Sequence, residues 1–317
     1  MTLLVTGSAG HLGEALMRTL RAAGRPARGL DRLPSPFTDA VGSICDGAYL
    51  AEAMAGVTAV VHAATLHKPH VATHPRQAFV DVNVAGTLAV LEAAARAGVE
   101  SFVMTSTTSA FGGALTPARG EPAAWITEDV PPVPRNIYGV TKTAAEGLCE
   151  LFARAYGLPV IVLRTSRFFP EPDDDPAVSG GYAVENVQAN ELLYRRVDLE
   201  DVVSAHLAAL EHAPQVGFAR YIVSATTPFS PDDLAELRAD APAVLRRWFP
   251  ESGPLYAALR WRMFPSLDRV YVNERARTEL GWRPQYDFAR LLGCLARGAD
   301  FRSELSREVG SKGYHRG

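Results

Sequence analysis

The chain has few cysteines, little net charge and no long apolar runs. Its cysteines, Cys45, Cys149 and Cys294, are an odd number at wide spacings. This pattern is neither a disulfide framework nor a zinc site, so we expect a reducing, cytoplasmic environment. A formal net charge of -3 over 317 residues gives no reason to expect nucleic acid or a membrane surface as partner. We find no apolar run of membrane-spanning length and no secretory leader before the first strand.

Glycines are concentrated where the first strand meets the first helix. The short apolar strand 3–5 is followed by the turn 6–13, whose glycines run G-x-x-G-x-x-G. Gly7 would permit a tight turn, Gly10 a close approach of a pyrophosphate, and Gly13 close packing of helix on strand. A tight turn without a ligand could contain the same glycines. Because this turn joins a strand to a helix, the motif predicts a dinucleotide site.

Buried strands then alternate with amphipathic helices. The predicted strands are 26–31, 59–62, 101–106 and 160–163, and the two long helices are 76–97 and 138–156. This alternation predicts an α/β fold, a Rossmann-like doubly wound parallel sheet with helices on both faces. We expect a Rossmann domain over 1–165, completed by segments near 197–225. A smaller, mostly helical substrate lobe is expected from about 166–196 and 226–305. Residues 306–317 are expected to form a disordered tail. The acidic run 173–175 is interpreted as a solvated loop.

Two charged residues end the second strand. Asp31 lies 18 positions after Gly13, where a carboxylate can bind the adenosine ribose hydroxyls, and this favours NAD. The neighbouring Arg32 could pair with the 2′-phosphate of NADP or extend into solvent. We therefore expect NAD, with NADP as the alternative.

Tyr138 and Lys142 lie one helical turn apart near the start of a predicted helix. A cation beside the phenol and an oxidised nicotinamide would both lower the pKa of Tyr138. The tyrosine could then exchange a proton with a substrate oxygen while a hydride moves to or from the cofactor. The hydroxyl-rich run 105–109 ends the preceding strand, and one hydroxyl there could bind the substrate oxygen. The others would cap free backbone groups.

Together these motifs resemble the extended short-chain dehydrogenase/reductase family, the NAD-dependent epimerases and dehydratases that act largely on nucleotide sugars. The resemblance also covers residues 61–64, 83–87 and 279–284. It implies that Thr107 is the catalytic hydroxyl and that Tyr138 and Lys142 contact both cofactor and substrate. The remaining roles that it implies are cofactor contacts from His11, Leu12, Ala63 and Ala64, an adenine contact from Asp46, and support of the active-site water network by Asn83.

Departures from the family pattern restrict the range of reactions and substrates that we expect. Sugar 4,6-dehydratases place Asp-Glu after the catalytic threonine, whereas this chain has Thr108 and Ser109. Neither side chain is a carboxylic acid, so we expect no dehydration. Only about 35 residues separate Arg164 from Asp201, a short connection by the standard of the family's substrate inserts. We therefore expect a smaller substrate, oxidised or reduced directly.

Histidines cluster after the third predicted strand, at the sheet edge where ligands bind. His67, Lys68 and His70 are candidate substrate contacts, although a solvated loop would have the same composition. The spacing of His67, His70 and His74 could suit a metal on a helix, but nearby prolines disfavour that helix and no further ligand is near in sequence, so we expect no metal.

Four further residues are candidate substrate contacts: Thr108, Phe168, Arg195 and Arg196. In relatives, an arginine near the last two positions binds phosphate or a sugar hydroxyl. The alternative is that both arginines pair with nearby carboxylates such as Asp198.

The expected activity is an NAD(P)-dependent oxidoreductase acting at a secondary alcohol or ketone of a sugar, sugar acid or similar small molecule. One alternative is a UDP-sugar 4-epimerase with tightly bound NAD. The other is a non-catalytic dinucleotide sensor, which the tyrosine–lysine pair disfavours. The resemblance further implies a homodimer formed through the helices 76–97 and 138–156.

Overall fold

The computed structural model describes residues 2–171 and 181–312. The acidic run 173–175 and the end of the predicted tail, 313–317, lie outside the described residues. In the described part, seven parallel strands form one sheet. In chain order these strands are β1 (Leu3–Thr6), β2 (Ala27–Asp31), β3 (Ala40–Val41), β4 (Ala59–His62), β5 (Ser101–Thr107), β7 (Val160–Thr165) and β10 (Phe218–Val223).

The strand order of this sheet is β10-β7-β5-β4-β1-β2-β3. The chain runs outward from β1 to β3 and then returns to place β4 on the other side of β1. In such sheets the crevice lies where the order reverses, outside the carboxyl ends of the strands. The turn after β1 and the loop after β4 therefore meet at the expected ligand site.

Two short pairs of strands in the described part of the chain lie outside this sheet. They are β6 (Ala124–Ile126) with β11 (Arg269–Tyr271), and β8 (Arg167–Phe168) with β9 (Arg196–Val197). The helices are α1 (His11–Ala22), α2 (Gly47–Ala53), α3 (Arg76–Phe79), α4 (Thr87–Ala97), α5 (Ile137–Tyr156), α6 (Val184–Leu192), α7 (Leu199–Val216), α8 (Leu234–Trp248), α9 (Ser252–Leu259), α10 (Glu274–Glu279), α11 (Phe288–Ala296) and α12 (Glu304–Val309).

Different helices cover the two faces of the sheet, because successive side chains of a strand point to opposite sides. Val5, Val61 and Val103 belong to one core that includes α1 and α7. Their neighbours Leu4 and Val60 belong to another core, shared with α4 and α5. The predicted doubly wound sheet is thereby confirmed.

The predicted helix 76–97 is continuous but not uniform, since a π-helical stretch, Val80–Gly86, joins α3 to α4. By length and composition alone, Arg76–Ala97 could cross a membrane, which corrects the expectation that no segment has this length. A core helix packed against a sheet meets the same criteria, and 44% of the most apolar window is buried inside the protein.

The C-terminal part has its own apolar core, formed mainly by α6, α8, α9 and α11. The predicted disordered tail is wrong for residues 306–312. Ser306 and Val309 lie buried in α12, which packs on α1 and α7. Hydrogen bonds explain this order, because Asp198 accepts the backbone N–H of Ser303 and the hydroxyl of Ser306.

Candidate active site

One cavity of about 840 Å³ lies at the carboxyl ends of the strands. It extends from the glycine turn after β1 to Tyr138 on α5, and reaches Arg269 and Tyr271 on β11. This volume is within the range of about 300–1,000 Å³ that is typical of ligand pockets. The predicted cofactor turn and the predicted catalytic tyrosine therefore face the same space.

The glycine turn can pack tightly only because Gly7 and Gly13 lack side chains. Gly7 has a φ of 77°, and a Cβ there would lie 2.8 Å from the backbone nitrogen of Ala64. A Cβ at Gly13 would lie 1.9 Å from the carbonyl oxygen of Gly7. Helix α1 starts at His11, so its free amides face the cavity. These features suit a pyrophosphate.

The adenosine end of the cavity is formed by the ends of β2 and β3. The carboxylate of Asp31 accepts the backbone N–H groups of Ala9 (3.1 Å) and Leu33 (3.0 Å), which fixes it at the cavity wall. Arg32 lines the same wall and is exposed. Asp46, by contrast, is exposed and caps α2, and it does not line the cavity, whereas Ile44 does.

Tyr138 and Thr107 form a pair on the cavity wall. The hydroxyl of Thr107 hydrogen-bonds the phenol and accepts the backbone N–H of Ser109 at 3.1 Å. Burial raises the pKa of Tyr138 to about 12, and the hydrogen bond from Thr107 only partly opposes this. The pKa of Tyr138 is therefore raised, whereas the sequence analysis predicted that it would be lowered. The phenol is protonated at neutral pH.

The ammonium of Lys142 contacts the strand rather than the cavity. Its Nζ donates to the carbonyl oxygen of Thr105 at 2.6 Å, and the side chain is 2% exposed. Burial lowers the pKa of Lys142 to about 8, while Cys149 and Glu146 raise it. Among the described residues that line the cavity, Lys142 is not included. In this arrangement the lysine holds α5 against β5.

Three consecutive residues of β5 contact three residues of α5 that are spaced by four. We call this set the strand–helix ladder: Thr105 with Lys142, Ser106 with Glu146, and Thr107 with Tyr138. The hydroxyl of Ser106 donates to Glu146 at 2.6 Å. The ladder fixes the register of the helix on the strand and with it the position of the tyrosine.

Asn83, in the π-helical stretch, has all its amide hydrogen-bonding groups engaged by protein atoms. Its Oδ1 accepts from Thr65 Oγ1 (2.9 Å) and Leu66 N (2.8 Å). Its Nδ2 donates to Leu66 O (3.0 Å) and Thr141 Oγ1 (3.2 Å). An amide has two donors and two acceptor positions, so little capacity is left for the predicted water network. Asn83 instead ties the loop after β4 to α5.

A buried histidine connects this region to the glycine turn. His62 contacts Thr6 Oγ1 through Nδ1 (2.8 Å) and Thr87 Oγ1 through Nε2 (3.0 Å). Thr87 in turn donates to the carbonyl oxygen of Asn83 at 2.7 Å. Burial lowers the pKa of His62 to about 3, so the ring is neutral. The sequence motif contained this histidine without revealing its contacts.

The histidine loop lies beside the tyrosine. The rings of His67 and Tyr138 are 6.4 Å apart between centroids, and those of His70 and His74 are 4.9 Å apart. His67 is accessible from the cavity but surrounded by protein, which lowers its pKa to about 4. His67, Lys68 and His70 all line the cavity. In residues 2–171 and 181–312, no group of three or more His, Cys, Asp or Glu side chains is placed to hold a metal.

The two candidate arginines have different environments. Arg195 lines the cavity, as do Thr108 and Phe168. Arg196 is fully buried, and its guanidinium contacts Glu191 and the carbonyl oxygens of Phe168 and Glu171. The prediction that Arg196 contacts substrate is therefore wrong, because its side chain points into the protein core from β9.

The cavity also includes residues that the sequence did not single out. They include Ile44, Thr65, Arg135, Asn136, Glu171, Glu191, Arg269, Tyr271 and Lys312. Of these, Asn136 carries a recognisable signal, since Asn before an amphipathic helix predicts the N-cap that it forms on α5. Arg269, Tyr271 and Lys312 are brought in by tertiary packing of the C-terminal segments. The others lie in earlier segments, and no local sequence signal marked them as cavity residues.

Comparison with known proteins finds one matching family and several similar proteins. The profile of the NAD dependent epimerase/dehydratase family matches residues 3–221. A UDP-glucose 4-epimerase of Azospirillum brasilense is 27% identical and aligns over 98% of this chain and 94% of its own length. A 3 beta-hydroxysteroid dehydrogenase/Delta 5-->4-isomerase of Mycobacterium tuberculosis is also 27% identical, over 89% and 86%.

A similar solved structure is that of a short-chain dehydrogenase/reductase superfamily protein of Agrobacterium tumefaciens with bound NAD. It has a TM-score of 0.68 and 25% identity, and the alignment covers 94% of this chain and 96% of that one.

Proposed function

The chain belongs to the NAD-dependent epimerase/dehydratase family, and we propose that it is an oxidoreductase that transfers a hydride at a secondary alcohol or ketone of a sugar, sugar acid or similar small hydroxy compound. Its cofactor is NAD. The observation that carries the proposal is the Tyr138–Thr107 pair on the wall of the cavity that contains the glycine turn.

The pair suits proton transfer to a substrate oxygen. Thr107 positions the oxygen by a hydrogen bond, and Tyr138, protonated at neutral pH, donates a proton to it when a ketone is reduced. In the oxidation direction the phenol must first lose that proton, so oxidation becomes faster as the pH rises. When bound, NAD supplies the hydride acceptor and NADH the donor. Lys142 holds α5 in place through Thr105.

We do not assign a dehydration. The residues that follow Thr107 in the cavity are Thr108 and Ser109, and neither can act as a carboxylic acid. The short connection between Arg164 and Asp201 supports a small substrate. Within this connection, Phe168 lines the cavity and packs on His11 with 5.1 Å between ring centroids. The relatives described above act, by their names, on a nucleotide sugar and on a steroid.

A UDP-sugar 4-epimerase is the second candidate, because the Azospirillum brasilense relative is similar along almost its whole length. In that reaction the hydride returns to the same substrate, and no net NADH is formed. The cavity reaches from the glycine turn to Arg195 and Arg269, which leaves room for a substrate beyond the cofactor.

A substrate screen separates the two candidates. The purified protein is incubated with NAD and a panel of sugars, sugar acids and other hydroxy compounds, and NADH absorbance is followed. The same protein is incubated with UDP-glucose, and UDP-galactose is measured. We expect NADH to accumulate with at least one member of the panel. Conversion of UDP-glucose without net NADH supports the epimerase instead. Absence of both activities contradicts the proposal and favours the non-catalytic dinucleotide sensor.

We also propose a homodimer. Exposed apolar side chains lie on the long helices expected to form the interface: Val80, Val140, Leu151 and Tyr156. Exposed apolar side chains that share one face of a protein often lie in the interface between subunits. Light scattering after size exclusion is expected to give twice the mass of 34.1 kDa. A monomer that persists at high concentration contradicts this proposal.

A further inference from the structure

We propose that Lys312 binds the pyrophosphate of the dinucleotide, an inference that rests on the proposed function only in placing NAD at the glycine turn. Lys312 lines the same cavity as Gly10 and His11, although it is 298 positions from Glu14 in the first turn of α1. Its ammonium donates a hydrogen bond to the Glu14 carboxylate. A cation is thus held at the start of the helix whose free amides face the cavity.

Lys312 is positioned by the packing of the preceding helix α12 and by the turn that follows it, rather than by an extended tail. Helix α12 is fixed on α7 by the bond from Ser306 Oγ to Asp198 Oδ1 at 3.0 Å. Gly310 follows with a φ of 62°, a conformation that favours glycine and redirects the chain. Ser311 Oγ then donates to Glu171 Oε2 at 3.3 Å. The next residue, Lys312, therefore has a defined position beside α1.

The charges at this end of the cavity explain why a cation is needed. Glu171 lines the cavity and lies 3.1 Å from Nδ1 of His11, the first residue of α1. A carboxylate in this position would repel a pyrophosphate. Lys312 compensates that repulsion and adds a charge-assisted hydrogen bond to those that the helix amides can give. The Glu14 carboxylate, which Arg18 also contacts at 2.8 Å, holds the ammonium at the helix end.

The test measures NAD affinity by calorimetry, independently of turnover, for Lys312→Ala, Lys312→Arg and a control, Arg25→Ala. Arg25 follows the other end of α1 and pairs with Glu211 at 3.9 Å, so the control removes a cation of similar exposure. Loss of a partly exposed ion contact is expected to weaken NAD binding about tenfold in Lys312→Ala. The salt dependence of binding should also decrease. Lys312→Arg should retain most of the affinity, and Arg25→Ala should match the wild type.

Two results would overturn the inference. One is unchanged NAD affinity in Lys312→Ala. The other is an equal loss in Arg25→Ala, because this would mean that NAD binding depends on the overall positive charge near α1 and not on Lys312. If instead no variant, including the wild type, binds NAD, the proposed function fails rather than the role of the lysine.

Discussion

Removal of the Glu146 carboxylate is expected to destabilise the protein strongly, because this residue joins the strand–helix ladder to two arginines. Glu146 is 1% exposed and Arg164 is 3% exposed. The carboxylate accepts from Arg164 Nη2 at 2.8 Å, from Arg220 Nε at 3.2 Å and from Ser106 Oγ at 2.6 Å. Glu146→Ala leaves the guanidinium of Arg164 buried without its carboxylate.

Breaking a buried pair by removing one partner costs about 3–5 kcal/mol, and an unpaired Ser106 hydroxyl adds to this. The free energy of unfolding, measured by urea denaturation, should fall by about that amount in Glu146→Ala. Glu146→Gln should lose less, because the amide oxygen can still accept from Ser106.

Glu150→Ala is the matched control. Glu150 lies one turn later on α5 and also contacts Arg220, at 2.7 Å, but its side chain is 45% exposed. Exposed ion pairs contribute about 0–1 kcal/mol. The reasoning is refuted if Glu146→Ala and Glu150→Ala lower the free energy of unfolding equally, or if Glu146→Ala loses less than about 1 kcal/mol.

Three further predictions concern the cofactor site and pH. Asp31→Asn should weaken NAD binding about tenfold and shift preference toward NADP, because the charge that binds ribose hydroxyls and repels a 2′-phosphate is lost; an unchanged ratio of NAD to NADP affinity, measured by fluorescence titration, contradicts this. Gly13→Ala should lose NAD binding and about 1–3 kcal/mol of stability, since the added Cβ would meet the carbonyl oxygen of Gly7. The control Gly47→Ala has open space for a Cβ and should match the wild type. Equal behaviour of the two variants contradicts the account of the turn. Burial raises the pKa of Asp201 from 3.8 to about 7, so the folded state favours the protonated form, and stability is lost as the pH rises from about 3.8 through about 7. Asp201→Asn should therefore gain stability relative to the wild type over this range and gain no more above it, and a constant difference would argue against the shift.

Local patterns predicted most strands of the sheet, because period and turn chemistry act within a few residues, but they missed the two-residue edge strand β3. The strand at 59–62 is found where the apolar run predicts it, and α5 ends at Gly157 with a φ of 67°. The turn 6–13 is predictable for the same reason, since its glycines are adjacent in sequence.

Which side chains line the cavity was less predictable, because it depends on packing between segments that are far apart in sequence. Arg195 and Arg196 are neighbours in sequence, yet only Arg195 faces the cavity, because β9 pairs with β8 and turns Arg196 inward. Asp46 is different, since Asp before a helix is a recognised cap and that local signal could have been used. Lys312 could not be found from sequence, because its position depends on α12 packing against α1 and α7.

The most direct test of the central claim is the turnover of Tyr138→Phe with the best substrate from the screen, alongside its NAD affinity. The account predicts a fall in kcat of about 10²–10⁴-fold, the usual contribution of an acid–base group, with NAD affinity almost unchanged. Undiminished turnover in Tyr138→Phe would contradict the assignment of this phenol as the proton donor.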